Sequence, residues 1–318
     1  MAWQTPPMPG VRIVTDSACD LTDELVTKHN VIVVPLTIRF GEEELKDRRQ
    51  LSPHDFWDRC RGKGDLPATA APSPGSFVAA YQRAVDEGSE AILCLTLSSG
   101  VSGTYDSAKT AAESFTTVPV RVVDTRSLTM GQGLIVIAAA EEAAAGADLD
   151  TLVASTMDRI GRVHVYGVLG GLDFLQRGGR IGGAQALLGS LLSIKPVIQV
   201  KDGVVAEESK QRTRSRALAY LAAKVAGDAP LERLCVADGA CDDITDVLKQ
   251  ISAIDLSVRT ENALRAANVK LIADLVVMDE TEVAAIRNLG KIATKELKKK
   301  LADRGLSFGM RLGTKAEA

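Results

Sequence analysis

The sequence predicts an α/β protein with a mostly parallel sheet, a smaller α+β second domain and a short all-α tail. Three observations predict this class. Up to residue 162, short β-branched runs alternate with amphipathic helical stretches; from residue 163 the strands come closer together; and beyond residue 242 the strand pattern ends. Because 318 residues exceed what one hydrophobic core usually serves, we expect domains at 1–160, 161–250 and 251–318.

The composition excludes several classes of protein. Hydrophobic residues make up 46% and charged residues 25% of the chain, which excludes disordered, collagen-like and coiled-coil proteins. The apolar runs fall short of the ~18 residues of a membrane span, and the start lacks a secretory-signal pattern, so we expect a cytoplasmic protein. The cysteines form no C-x-x-C pair and the histidines are scattered, which favours reduced thiols and no metal site.

The elements of the first domain follow from hydrophobic periodicity, caps and turns. The predicted strands cover residues 11–15, 31–39, 92–97 and 120–123. The predicted helices cover residues 21–30, 53–57, 75–87, 103–114, 131–145 and 150–162. Asp20 is the expected N-cap of the first helix, and Ser52 before Pro53 marks the start of the second. A loop rich in Pro, Ala and Thr is expected at 67–74.

The second domain and the tail show different patterns. The predicted second-domain elements are strands at 163–168, 194–200, 204–207 and 234–237 and a helix at 215–226. The turn Lys201-Asp202-Gly203 is a hairpin signal. Short helices are expected over 244–304, with breaks near residues 255, 268, 279 and 290. The tail from residue 251 has a net charge of +3 against −6 for the rest, which suggests separate partners.

Three loops that follow predicted strands are rich in hydroxyl and carboxylate side chains. They are Asp16-Ser17, the segment 98–104 and the segment 124–127. In a parallel sheet such loops lie at the edge where ligands bind, and free amides at helix starts, together with hydroxyls, can hold a carboxylate or a phosphate. The same residues also fit simple helix caps, and spacing alone leaves both interpretations open.

Catalytic motifs are weak. The sequence has no G-x-x-x-x-G-K-[ST] loop, no strand followed by a good G-x-G-x-x-G fingerprint and no G-x-S-x-G elbow. Asp16 and Asp124 are conceivable as the acid/base pair of a hydrolase. The sequence supplies no activated nucleophile between them, so solvated or capping carboxylates are the simpler interpretation.

Several blocks within residues 11–240 resemble the DegV family of bacterial fatty-acid-binding proteins. The blocks are VRIVTDSACDLT (11–22), LPATAAPSPGSF (66–77), LSSGVSGTYDSA (97–108), VVDTRS (122–127), LDFLQRGGRIG (172–182) and LLSIKPVIQVKDG (191–203). The resemblance implies that a tunnel between two domains holds one fatty acid, and that the protein is not an enzyme and has no cofactor besides this ligand. It also implies a partner kinase that phosphorylates the presented carboxyl group.

The resemblance assigns the site residues. It implies that Thr69 and Ser99 contact the ligand carboxylate, and that Ser98 and Ser102 support the turn. The expected supporting pocket consists of Asp16, Ser17, Thr104, Arg126, Arg177 and Arg180. Arg177 and Arg180 also fit a glycine-supported turn in which the arginine side chains are only solvated, and this alternative stays open.

The resemblance has one further element and two departures. Lys210 and Arg212 resemble the basic element near the kinase-docking face, although exposed basic residues are usually only solvated. The family loop T-S-Q-P-S reads T-A-A-P-S at 69–73, which removes a hydroxyl and an amide. The family segment H-T-G-P-G, whose His reaches the ligand, does not occur in this sequence. The second domain is therefore expected to be truncated.

Residues 252–312 resemble the C-terminal domain of the bacterial RNA polymerase alpha subunit, through IDLSVRTENALRAANVKLIADLV and IRNLGKIATKELKKKLADRGLSFGMRL. That family has helix-hairpin-helix-like elements that contact DNA phosphates and an A·T-rich minor groove. The implied contacts are Arg259, Asn262, Gly290 and Lys291, with Glu296 on the last helix. Ile292 and Ala293 replace a Lys and a Ser of the family pattern, so a protein-interaction role without DNA binding stays open.

Taken together, the sequence predicts a lipid-binding protein that presents a long-chain fatty acid to a kinase. The alternative is a transcription-associated protein in which the tail contacts DNA, RNA polymerase or an activator. In that case the DegV-like part is a degenerate sensor.

Overall fold

The computed structural model describes residues 10–61, 67–185, 194–228, 231–241, 244, 278–287 and 289–302. The chain divides into two compact units, Met1–Ala240 and Cys241–Ala318. The described strands are β1 (Val11–Asp16), β2 (Ile32–Val34), β3 (Thr37–Phe40), β4 (Glu43–Lys46), β5 (Ala68–Ala70), β6 (Ala91–Thr96), β7 (Val120–Asp124), β8 (Tyr166–Val168), β9 (Lys195–Lys201) and β10 (Val204–Gln211). The described helices are α1 (Asp23–Lys28), α2 (Pro53–Arg61), α3 (Pro74–Asp86), α4 (Thr104–Ser114), α5 (Thr129–Ala144), α6 (Leu149–Ile160), α7 (Asp173–Arg177), α8 (Arg214–Gly227), α9 (Glu280–Ala285) and α10 (Lys291–Ala302).

The main sheet is parallel, as predicted, with the strand order β2-β1-β6-β7. From β1 the chain goes first to β2 on one side and later to β6 on the other. The carboxyl ends of β1 and β6 therefore form the topological switch point, which is where open parallel sheets bind ligands.

Each face of this sheet has its own apolar core. Successive residues of β6 point to opposite faces, as the period of a strand requires. Leu95 packs with Cys19 and the apolar residues of α5 and α6. Cys94 packs on the other face with Tyr81 and its neighbours on α3 and α4. The Tyr81 hydroxyl donates a hydrogen bond to the carbonyl of Ala108 at 3.1 Å, so this buried polar group is satisfied.

A second, antiparallel sheet corrects two predictions. The single strand predicted over 31–39 is wrong, because β2 ends at Val34 and β3 begins at Thr37 in a sheet of order β4-β3-β5. Pro35 lies at the break and has no N–H to donate to a ladder. The loop predicted at 67–74 is wrong in its first part, because β5 pairs with β3 there and places Thr69 opposite Ile38.

The first two helix starts differ in how well the sequence predicts them. Ser52 caps α2 as expected, since its hydroxyl oxygen accepts the N–H of Asp55 at 3.1 Å. Asp20 is not the cap of α1: Thr22 is, and its hydroxyl oxygen accepts the N–H of Leu25 at 3.3 Å. The Asp20 carboxylate instead pairs with Arg48 at 2.8 Å.

The second domain contains an antiparallel sheet of order β10-β9-β8, and the hairpin predicted at Lys201-Asp202-Gly203 is confirmed. The strand predicted at 234–237 is wrong, since the described residues 231–241 contain no strand. Ion pairs instead join this segment to α5 and to the turn after α6. Glu232 pairs with Arg162, and Arg233 pairs with Glu141.

In the second unit, the described residues form α9 and α10. Asp279 and Glu282 make a reciprocal capping box at the start of α9, where the sequence predicted a break. The α10 helix begins at Lys291, directly after the predicted break near Gly290. The predicted breaks near residues 255 and 268 lie outside the described residues.

Candidate functional site

Asp16 lies at the switch point and joins the ends of β1 and β6. Its Oδ2 accepts the N–H of Leu97 at 2.8 Å and Nε2 of Gln132 at 3.1 Å, and its Oδ1 accepts the N–H of Ala18 at 3.0 Å. Burial raises the pKa of Asp16 to about 6, although these three hydrogen bonds oppose the rise. The carboxylate therefore holds the loop after β1 and the loop after β6 together.

Ser17 connects this edge to the second sheet. Its hydroxyl oxygen accepts the N–H of Leu36 at 3.0 Å, in the short connection between β2 and β3. It also hydrogen-bonds to Asp47, whose pKa burial raises above its ordinary value. Because Ser17 is almost fully buried, it shapes the edge and is not open to a ligand head group.

Ser98 connects the first domain to the hairpin of the second. Its hydroxyl donates to the carbonyl oxygen of Gly203 at 2.6 Å and accepts the N–H of Gly100 at 3.2 Å. A Cβ atom at Gly203 would lie 2.5 Å from Ser98 Oγ, and one at Gly100 would lie 2.8 Å from the Gly203 carbonyl oxygen. Glycine at both positions allows the two turns to touch.

Two arginines strengthen the same junction. The Arg126 guanidinium donates to the carbonyl of Asp202 at 3.1 Å and lies 3.5 Å from its carboxylate. Arg180 Nε donates to the carbonyl of Val101 at 3.1 Å. Arg177 is exposed at the end of α7. Thus two of the three predicted arginines make contacts between the domains.

Ser99 is exposed and binds a carboxylate of its own chain. Its hydroxyl donates to Asp124 Oδ2 at 2.6 Å, and its N–H donates to Asp124 Oδ1 at 3.3 Å. The N–H of Arg126 donates to the same Oδ1 at 2.8 Å. Both hydrogen-bond donors of Ser99 are therefore directed toward Asp124.

The remaining predicted hydroxyls lie at different depths. Ser102 Oγ and Thr104 Oγ1 are 2.8 Å apart at the start of α4, where Ser102 also accepts the N–H of Thr104. Thr104 is fully buried, whereas Thr69 is exposed on β5. The hydroxyl-bearing loops thus offer Ser99 and Thr69 to solvent and keep Ser98 and Thr104 inside.

The remaining predicted residues lie on other elements of the chain. Lys210 on β10 pairs with Glu207 at 3.4 Å, and Arg212 is exposed just beyond the strand. Gly290 and Lys291 lie at the start of α10 in the second unit. Arg259 and Asn262, the main predicted DNA contacts, lie outside the described residues.

The sequence did not single out two residues that organise the site. Gln132 is fully buried and donates to Thr15 Oγ1 at 3.0 Å as well as to Asp16. The signal that could have identified Gln132 is a lone amide within the apolar start of α5. The sequence places Asp124 in one of the three polar loops, but its pairing with Ser99 has no sequence signal, because the two residues lie on different loops.

The described residues offer neither a metal-binding cluster nor a membrane-spanning helix. They contain no group of three or more His, Cys, Asp or Glu side chains able to hold a metal ion. None of their helices has the length and apolar character that crossing a membrane requires.

Two family models match the sequence. The model of the DegV family matches residues 10–263. The model of the C-terminal domain of the bacterial RNA polymerase alpha chain matches residues 242–303. Both resemblances expected from the sequence are confirmed.

Individual relatives agree with the DegV match. A DegV domain-containing protein of Streptomyces coelicolor is 39% identical over 70% of this chain and 79% of its own length. A fatty-acid-binding DegV family protein from Thermus thermophilus is 35% identical, with a TM-score of 0.65 over 70% of this chain and 78% of that one. A stearic-acid-binding protein from Eubacterium ventriosum is 27% identical, with a TM-score of 0.61 over 69% and 76%.

Proposed function

Because the chain belongs to the DegV family, we propose that it binds one long-chain fatty acid between its first and second domains, with the carboxylate held by Ser99 and Thr69. The observation that carries this proposal is the contact of Ser98 with Gly203 at 2.6 Å. That contact brings the hydroxyl-rich turn after β6 against the hairpin of the second domain. A ligand head at this turn therefore lies where the two domains meet.

The energetics of such a ligand divide between its two ends. Burying about fourteen methylenes at ~0.8 kcal/mol each would dominate the affinity. Each hydrogen bond to the charged head would add about 1.5–3 kcal/mol. The apolar chain thus supplies most of the free energy, and the hydroxyls select and orient the carboxylate.

We further propose that the protein is a carrier and not an enzyme, and that a fatty-acid kinase receives the presented carboxyl group. The polar groups at the edge support a carrier role. The Ser98 hydroxyl donates to a main-chain carbonyl and the Asp16 carboxylate accepts main-chain amides, so both hold loops in place. Lys210 and Arg212, exposed on and beside β10, are the proposed kinase-docking residues.

The test is calorimetric titration of the full chain with oleate. Ser99→Ala and Thr69→Val should each weaken binding about tenfold or more, since each removes one hydrogen bond to a charged group. Matched controls are Thr110→Val and Ser114→Ala, at exposed positions in the second half of α4, which remove the same groups and should leave the affinity unchanged. If the two site variants bind oleate as tightly as the parent, these residues do not hold the carboxylate.

The tail favours a second function. Residues 242–303 match the alpha-chain domain, and Ile292 at the start of α10 has 87% of its surface exposed. We propose that this unit contacts DNA, RNA polymerase or an activator, which makes the protein transcription-associated. An isoleucine where the family pattern has a lysine removes a cation that would bind a phosphate, which favours a protein partner over DNA.

A further inference from the structure

We propose that Asp124 sets how tightly the site holds an ionised head group, because it competes with the ligand for the single hydroxyl proton of Ser99. This inference rests on the proposed fatty-acid function and assigns Asp124 a positioning and specificity role in it. Ser99 Oγ donates to Asp124 Oδ2 at 2.6 Å, a short distance typical of a hydrogen bond to a charged acceptor.

A serine hydroxyl has one proton to donate and two lone pairs to offer. With its proton directed at Asp124, Ser99 can only accept. An ionised carboxylate needs donors, and beside Asp124 it also meets a like charge. The ligand therefore has to take the Ser99 proton from Asp124 before it is held.

The cations near this pair are engaged elsewhere. The Arg126 guanidinium is directed to Asp202 on the hairpin, and only its main-chain N–H reaches Asp124. Arg180 donates to the carbonyls of Val101 and Gly178. Among the described residues, the Asp124 carboxylate accepts hydrogen bonds but makes no ion pair. Its charge is therefore free to oppose that of the ligand.

The substitution Asp124→Asn separates this role from a structural one. An asparagine has the same size, and its Oδ1 can still accept the N–H groups of Ser99 and Arg126, which both bind Oδ1 in the parent. Its Nδ2 donates to Ser99 Oγ, so the direction of that hydrogen bond reverses. The Ser99 proton then becomes available to the ligand carboxylate.

The experiment compares oleate with oleyl alcohol, which has the same chain and a neutral head, on the full chain. Asp124→Asn should bind oleate about tenfold more tightly than the parent and oleyl alcohol with nearly the same affinity. The control Asp106→Asn removes one charge from an exposed position in the first turn of α4, which makes no hydrogen bond to Ser99 or Asp124. This control should leave both affinities unchanged.

Two further results decide the matter. The gain in oleate affinity should vanish when Ser99→Ala is added to Asp124→Asn, because the gain passes through the Ser99 hydroxyl. An equal change for both ligands, no change for oleate, or a gain that persists in the double variant overturns the inference while leaving fatty-acid binding intact. Failure of the parent and every variant to bind either ligand instead overturns the proposed function, and this inference with it.

Discussion

Replacing Gly203 with alanine should loosen the docking of the hairpin on the first domain. Gly203 has a φ of +82°, and its added Cβ would lie 2.5 Å from Ser98 Oγ. The left-handed backbone costs about 1–2 kcal/mol in a residue with a side chain. Displacing Ser98 also breaks its 2.6 Å hydrogen bond to the Gly203 carbonyl, at about 1 kcal/mol. The expected loss is therefore about 2–3 kcal/mol.

Three other glycines separate the two contributions. Gly146 has a φ of +93° with nothing within 4 Å of an added Cβ, so Gly146→Ala carries the backbone cost alone. At Gly100 an added Cβ would lie 2.8 Å from the Gly203 carbonyl oxygen without a left-handed φ, so Gly100→Ala carries the contact cost alone. Gly227 has neither feature, and Gly227→Ala at the end of α8 should be neutral or slightly stabilising.

Hydrogen exchange read by mass spectrometry measures this loosening locally. A loss of about 2–3 kcal/mol should accelerate exchange in the β9–β10 hairpin roughly 30- to 150-fold, provided that exchange there occurs through undocking. Gly100→Ala should also accelerate exchange there, whereas Gly146→Ala should act only near its own turn. Hairpin exchange at the parent rate in both Gly203→Ala and Gly100→Ala would refute the reasoning, since the contact between the turns would then contribute nothing.

Two further predictions concern Asp16 and the tail. The pKa of Asp16 is about 6 in the folded chain against an ordinary 3.8, so between these pH values the folded chain binds more protons than the unfolded chain. The contribution of Asp16 to stability should therefore fall by about 3 kcal/mol as the pH rises from about 4 to 6. Urea midpoints from pH 4 to 7 should show this fall in the parent and a smaller one in Asp16→Asn; parallel curves would contradict it. In the tail, the double substitution Ile292→Lys with Ala293→Ser should strengthen binding to an A·T-rich duplex. It should also steepen the slope of log affinity against log salt by about one unit, and Arg259→Ala should abolish DNA binding. Fluorescence anisotropy on the full chain at two salt concentrations checks this, and no gain in the restored variant would favour a protein partner.

Local patterns predicted most of the first domain. Strands β1, β6 and β7 and helices α3 to α6 follow from hydrophobic periodicity, because each is decided by residues that are close in sequence. The break at Pro35 was missed although a proline disfavours a ladder, because apolar residues continue on both sides of it. The strand around Thr69 was missed because its pairing depends on β3, some thirty residues earlier.

The site was predictable in position but not in its internal contacts. The sequence placed the hydroxyls at the ends of parallel strands, and the structure has Asp16, Ser98 and Asp124 at that edge. It could not reveal which hydroxyl binds which partner, since the contacts of Ser98 span 105 positions and those of Ser99 span 25. Similarly, the apolar segment at 234–237 has the composition of a strand, but it pairs with no described strand, and its charged neighbours form ion pairs with Arg162 and Glu141.

The two buried cysteines on opposite faces of the main sheet make each core chemically distinguishable. Burial raises the pKa of both Cys19 and Cys94 to about 12, so hardly any reactive thiolate exists at neutral pH while the cores stay closed. An alkylating reagent reaches Cys94 only when the layer of α3 and α4 separates, and Cys19 only when that of α5 and α6 does. The unmodified chain thus contains one reporter of breathing motions for each side of the same sheet.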